Sequence, residues 1–125
     1  MNNIDKVYQN SNSAGEFAQG YFAYLKNVLD SIEPDSINRL TAEFEDARVT
    51  GNTIFVAGNG GSATTATSMA NDIGFDIIKK TGTDKPFRVF ALTDNSSVIT
   101  AISNDVGYDN VFMNQLRIHY RPGDK

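Results

Sequence analysis

The sequence predicts an α/β domain built on a parallel sheet. Two short apolar runs, residues 53–57 (TIFVA) and 87–92 (FRVFAL), carry the β-branched and aromatic side chains of buried strands. Each is followed by a stretch of helical character, and strands alternating with helices pair in parallel through right-handed crossovers. A glycine-rich turn, Gly58-Asn59-Gly60-Gly61-Ser62, joins the first strand to its helix.

Taken in order, residues 1–12 are polar and rich in Asn, with no sustained period, and read as a loose leader. Beyond them Phe17, Tyr21, Tyr24, Leu25, Val28, Leu29 and Ile32 recur at the spacing of an amphipathic helix. Ser13 with Glu16 resembles a capping box. Glu33-Pro34-Asp35 interrupts that helix, because proline disfavours helical geometry in the residue before it. A second helix places Ile37, Leu40, Phe44 and Ala47 on one face and stops at Gly51. The two helices, within residues 13–51, need a surface to cover, and their aromatic-rich stripe predicts a subunit interface in a dimer or tetramer of this chain.

Residues 52–125 form the α/β part. After the first strand and its glycine turn, a Thr- and Ser-rich helix is expected over 62–73, then a polar connection over 74–86 and the second strand. Ser96 or Ser97 caps a helix running to about residue 103, Asn104-Asp105-Val106-Gly107 is a turn, and a last helix spans 110–120. Val111, Phe112, Gln115, Leu116 and His119 crowd one side of it. Two strands are few for a parallel sheet, and Arg121-Pro122-Gly123-Asp124 reads as the entry to a third, so the chain reads as truncated after its first two strands.

Composition narrows the function. The net charge is −4 and Lys79-Lys80 is the only basic pair, which argues against a nucleic-acid binder. The chain has no Cys, so disulfides and cysteine metal sites are excluded. Met1-Asn2-Asn3-Ile4-Asp5 lacks the basic and apolar regions of a signal peptide, and no apolar run approaches a membrane span. These features predict a soluble, cytoplasmic protein.

The glycine turn follows the C-terminal end of a strand, where open α/β sheets bind their ligands. Glycines let backbone approach a ligand, a helix N-terminus offers unpaired N–H groups, Ser62 adds a hydroxyl, and Asn59 adds an amide that donates and accepts. The alternative is a tight turn with no ligand. Gly58, Gly60 and Ala63 also satisfy the short G-x-G-x-x-G/A dinucleotide pattern, but Asp94 comes too late in the chain for that pattern's acidic residue.

Three blocks, FVAGNGGSA from Phe55, ALTDNSSVITAISND-GYDNVF from Ala91 and RPGD from Arg121, together resemble the SIS (sugar isomerase) family, and within it the phosphoheptose isomerases. The resemblance implies a Rossmann-like SIS domain preceded by two helices that help build a homotetramer, and a phosphorylated sugar as ligand. It implies that Asn59, Gly60 and Gly61, with Ser62 beside them, contact the sugar phosphate, as do Asn104 and Asp105; a capped turn is the alternative for the last two. The isomerases carry His and Glu four residues apart on the helix after the glycine loop, for proton transfer and, in some members, zinc binding. Here those positions are Ser68 and Asp72. Serine is a poor zinc ligand, so no metal or other cofactor is expected. Asp72 keeps a carboxylate one methylene shorter, as base or as a solvated side chain. The family's Ser/Thr-rich phosphate loop and second catalytic His fall beyond Lys125, and His119 does not match that His and is expected to be structural.

Three functions compete. The first is an aldose–ketose isomerase of a sugar phosphate such as sedoheptulose 7-phosphate, complete only at full length. The second is a non-catalytic SIS module that senses a sugar phosphate or binds a protein. The third, a dinucleotide-binding domain, has the weakest support.

Overall fold

The computed structural model describes residues 2–125. The chain divides into two compact units, Met1–Arg39 and Leu40–Lys125.

The first unit is helical. α1 (Asn3–Gln9) occupies the stretch expected to be a loose leader. Asn2 caps it by accepting from the Asp5 amide at 2.8 Å, and Asp5 returns the bond to the Asn2 amide at 3.2 Å. A helix of seven residues cannot hold itself in water. Here it is held against α2 (Ala14–Asp30), with Tyr8 edge-on to Phe17 at 5.7 Å. Gly20 permits the approach, since a Cβ there would lie 2.7 Å from Val7 Cγ1. At the start of α2, Ser13 accepts from the Glu16 amide as expected, but Glu16 reaches back to the Asn12 amide instead of closing on Ser13. α1 shields part of the aromatic stripe: Phe17, Tyr21 and Tyr24 are half-buried, whereas Phe22 (64% exposed), Leu25, Val28, Leu29 and Ile32 stay open. α3 (Pro34–Thr50) begins with the proline at its first position, where no N–H is needed.

Residues 40–50 of α3 belong to the second unit. There Ala47 is fully buried, and the helix ends at Gly51 with φ 77° and the Asn52 amide donating to Ala47 O at 2.9 Å. β1 (Thr53–Val56) pairs in parallel with β2 (Arg88–Ala91), in the register Ile54↔Val89 and Phe55↔Phe90. Ile54, Ala66, Ala91, Leu92 and Val111 are buried with Ala47, forming a core of small and branched side chains. The strands are not buried throughout, as the sequence suggested: Arg88 and Phe90 are exposed. On that face Phe55 and Phe90 meet edge-on at 5.9 Å, and the His119 ring lies 5.2 Å from Phe90. Beyond β1, Lys125 donates to Thr53 O and accepts from the Phe55 amide, the bonding pattern of a parallel neighbour.

The expected polar connection after residue 73 is mostly helical. α4 (Gly61–Met69) continues through a π-helical segment (Ala70–Asp76) into α5 (Ile77–Thr81), which stops at Gly82 with φ 63°. α6 (Ser96–Val106) is capped by Asn95, not by Ser96 or Ser97; its side chain accepts from the Val98 amide at 3.1 Å. Asn104 and Asp105 therefore lie in the last helical turn of α6, not in a separate turn. A 3₁₀ turn (Tyr108–Asn110) leads into α7 (Val111–His119).

Candidate functional site

The glycine loop lies between the end of β1 and the start of α4, and its glycines meet different demands. A Cβ at Gly58 would sit 2.6 Å from the Ser62 backbone, so this position lets the loop fold back on the helix start. Gly60 has φ 54° and ψ −123°, a conformation closed to other residues. A Cβ at Gly61 would meet nothing within 4 Å, so the loop is open on that side. The Ser62 and Ala63 amides turn back to the carbonyls of Asn59 and Gly60 at 3.0 Å, the first turn of α4.

Beside the loop lies a pocket of about 130 Å³, lined by Asn59, Gly60, Thr93, Ile99, Tyr108 and Phe112 among others. It sits beyond the C-terminal ends of both strands, the ligand position of open α/β sheets. Its volume is below the roughly 300–1,000 Å³ of a complete small-molecule site.

The structure brings some of the expected residues together and leaves others apart. Asn59 and Gly60 line the pocket, and Gly61 and Ser62 open α4 next to it. Asn104 donates to the Asp105 carboxylate at 2.9 Å, and both are exposed at the end of α6. Tyr108, just beyond, spans the gap by donating its hydroxyl to Asn59 Oδ1 at 2.6 Å. Ser68 and Asp72 are exposed farther along the helix, and the Asp72 carboxylate accepts from Asn71 Nδ2 at 3.0 Å. The change to π-helix at Ala70 falls between them, so their four-residue spacing does not stack them as one regular α-turn would.

Sequence reasoning overlooked Tyr108, Thr93 and Ile99 as lining residues, although all three fall inside the second quoted block. It also overlooked that Asp94 is engaged by Thr67 Oγ1, which ties α4 to the loop after β2. His119 lies beside Phe90 on the sheet face, away from the glycine loop's pocket.

The SIS domain family model matches residues 20–124, which is most of the chain. This chain belongs to the SIS domain family. Among its relatives, the phosphoheptose isomerase of Rhodospirillum rubrum is 39% identical over 59% of this SIS chain and 38% of its own length. The probable phosphoheptose isomerase of Thermoplasma acidophilum is 38% identical over 72% of this chain and 48% of its own. In three dimensions the chain is similar to the phosphoheptose isomerase of Neisseria gonorrhoeae, with a TM-score of 0.74, 29% identity, and coverage of 90% of this chain and 58% of that one. The SIS chain thus spans about half the length, or less, of these curated relatives.

Proposed function

We propose that this SIS domain binds a phosphorylated sugar at the Asn59–Ser62 loop and that the full-length protein interconverts an aldose and a ketose phosphate such as sedoheptulose 7-phosphate. The observation that carries the reading is the Tyr108–Asn59 hydrogen bond. It joins the glycine loop to the segment following Asn104 and Asp105, and the fold is similar to that of the Neisseria gonorrhoeae phosphoheptose isomerase. In the reaction a base removes a proton from one carbon of an enediol-forming pair and returns it to the neighbour, while donors stabilise the oxygen. Asp72 is the candidate base.

The zinc of some family members does not suit these residues. Ser68 is a poor ligand, and among the described residues no three His, Cys, Asp or Glu side chains converge. The binding we propose is one that needs no zinc at Ser68 and Asp72. Among the described residues no helix is long and apolar enough to cross a membrane. We place the full-length protein in the cytoplasm and in carbohydrate metabolism as part of the same reading, and the net charge of −4 favours a sugar phosphate over a nucleic acid as its partner.

Calorimetry of the full-length protein with sedoheptulose 7-phosphate tests the site. Binding should survive a chelator and be lost in Gly61→Val, whose side chain fills the open approach; loss on chelation, or binding unchanged in Gly61→Val, would sink the proposal. The 125-residue chain alone should show no turnover in a coupled assay, because its pocket encloses only part of a substrate and remote binding energy positions the reacting carbons. Turnover that vanished on Asp72→Asn would refute that expectation. A second reading, a non-catalytic sugar-phosphate sensor or protein-binding module, is favoured by Ser68 and by the helix change before Asp72. Binding without turnover at full length would select it.

A further inference from the structure

We infer that Tyr108 is a positioning residue that orients the Asn59 amide, so that the glycine loop offers a hydrogen-bond donor, not an acceptor, to its ligand. The inference rests on the sugar-phosphate reading above. The Tyr108 hydroxyl donates to Asn59 Oδ1 across 49 residues of sequence. An amide whose oxygen is held at one end presents its NH₂ group at the other. Both residues line the same pocket, which puts the oriented amide at its wall.

The turn carrying Tyr108 is fixed independently. Gly107 has φ 98°, the Asn110 amide donates to Gly107 O at 3.1 Å, and Asn110 Nδ2 donates to Val106 O at 2.9 Å. Tyr108 is itself 55% exposed, so core packing does not account for an aromatic side chain here. What the side chain does make is the bond to Asn59. A donor at that point suits the oxygens of a sugar phosphate, its phosphate, carbonyl or hydroxyl groups, all of which accept.

The test combines binding and spectroscopy on the full-length protein. Tyr108→Phe removes only the hydroxyl. It should weaken sedoheptulose 7-phosphate about three- to tenfold, the worth of one hydrogen bond, at an unchanged melting temperature. In an Asn59→Ala background the same change should have no further effect, since the two residues act as one unit. Asn59→Asp keeps the acceptor for Tyr108 but turns an oxygen outward, and it should bind worse than Tyr108→Phe. Equal loss from Tyr108→Phe in both backgrounds, or Asn59→Asp binding as tightly as the unaltered protein, would overturn the inference. The Asn59 side-chain amide resonances of the free protein provide a reading without ligand. They should shift in Tyr108→Phe, and an unmoved signal refutes the orienting role. If the unaltered protein binds no sugar phosphate, the ligand part of the inference falls with the reading it rests on. The resonances still decide whether Tyr108 holds the amide.

Discussion

Gly58 and Gly61 are neighbours in the same loop with opposite constraints. At Gly58 a side chain would collide with the Ser62 backbone, which cannot swing aside as a side-chain tip can. Gly58→Ala should destabilise the protein by about 1–3 kcal/mol, the usual cost of overpacking, seen as a lower urea midpoint. Gly61→Ala meets open space at a helix start and should leave the midpoint nearly unchanged, so a drop as large as that of Gly58→Ala would show the geometry to be wrong. Arg48 illustrates a second kind of residue effect. It bonds Glu45, donates to Lys85 O at 3.2 Å and lies over the Phe87 ring at 5.8 Å. The side-chain hydrogen bond from Arg48 holds the Glu45 carboxyl below its ordinary value. A lowered carboxylate contributes stability above its unfolded value and loses it as pH falls through the lowered one. Glu45 is exposed and its partner only half-buried, so Glu45→Gln should barely move the acid unfolding midpoint, whereas Arg48→Ala should cost more because it also loses the carbonyl and the ring.

Among the elements, α7 is tied to the sheet by one side chain. Gln115 is 3% exposed, and its amide donates to Leu92 O at 2.9 Å and to Val111 O at 3.1 Å. The Leu92 amide in turn donates to Val56 O, so this carbonyl ends the β1–β2 ladder beside the pocket. Gln115→Leu conserves bulk but strands the Leu92 carbonyl, and a loss of about 1–3 kcal/mol in denaturant unfolding is expected. An unchanged midpoint would mean that the carbonyl finds another partner. Gln115 stood in the sequence among the residues crowding one side of a helix, yet its polarity gave no hint of the carbonyl it serves. The π-helical segment was illegible for a like reason. The Thr- and Ser-rich run has middling helix propensity and Gly74 reads as a break, but the helix runs on to Thr81 through the altered turn.

In the molecule taken whole, α2 leaves Phe22, Leu25, Val28 and Leu29 exposed. If these helices form the proposed interface between copies, Phe22→Glu and Leu29→Glu should shift sedimentation toward a monomer; a monomeric unaltered protein at high concentration would refute the interface. The α/β class, the two strands, the glycine loop and the SIS resemblance were all readable along the chain, because each depends on local periodicity or on a contiguous motif. The helix in residues 3–9, the Asn95 cap, the bond from Thr67 to Asp94 and the reach of Tyr108 to Asn59 were not. α1 is too short to persist on its own cap without α2 beneath it, so its existence depends on Gly20 and Phe17 as well as on its own residues. Asn95 and the two serines are nearly equivalent as caps, and the choice among them falls to where β2 releases the chain. Tyr108 and Asn59 lie 49 positions apart, and only the parallel crossover that sets the glycine loop beside the start of α7 brings a hydroxyl within bonding distance of an amide.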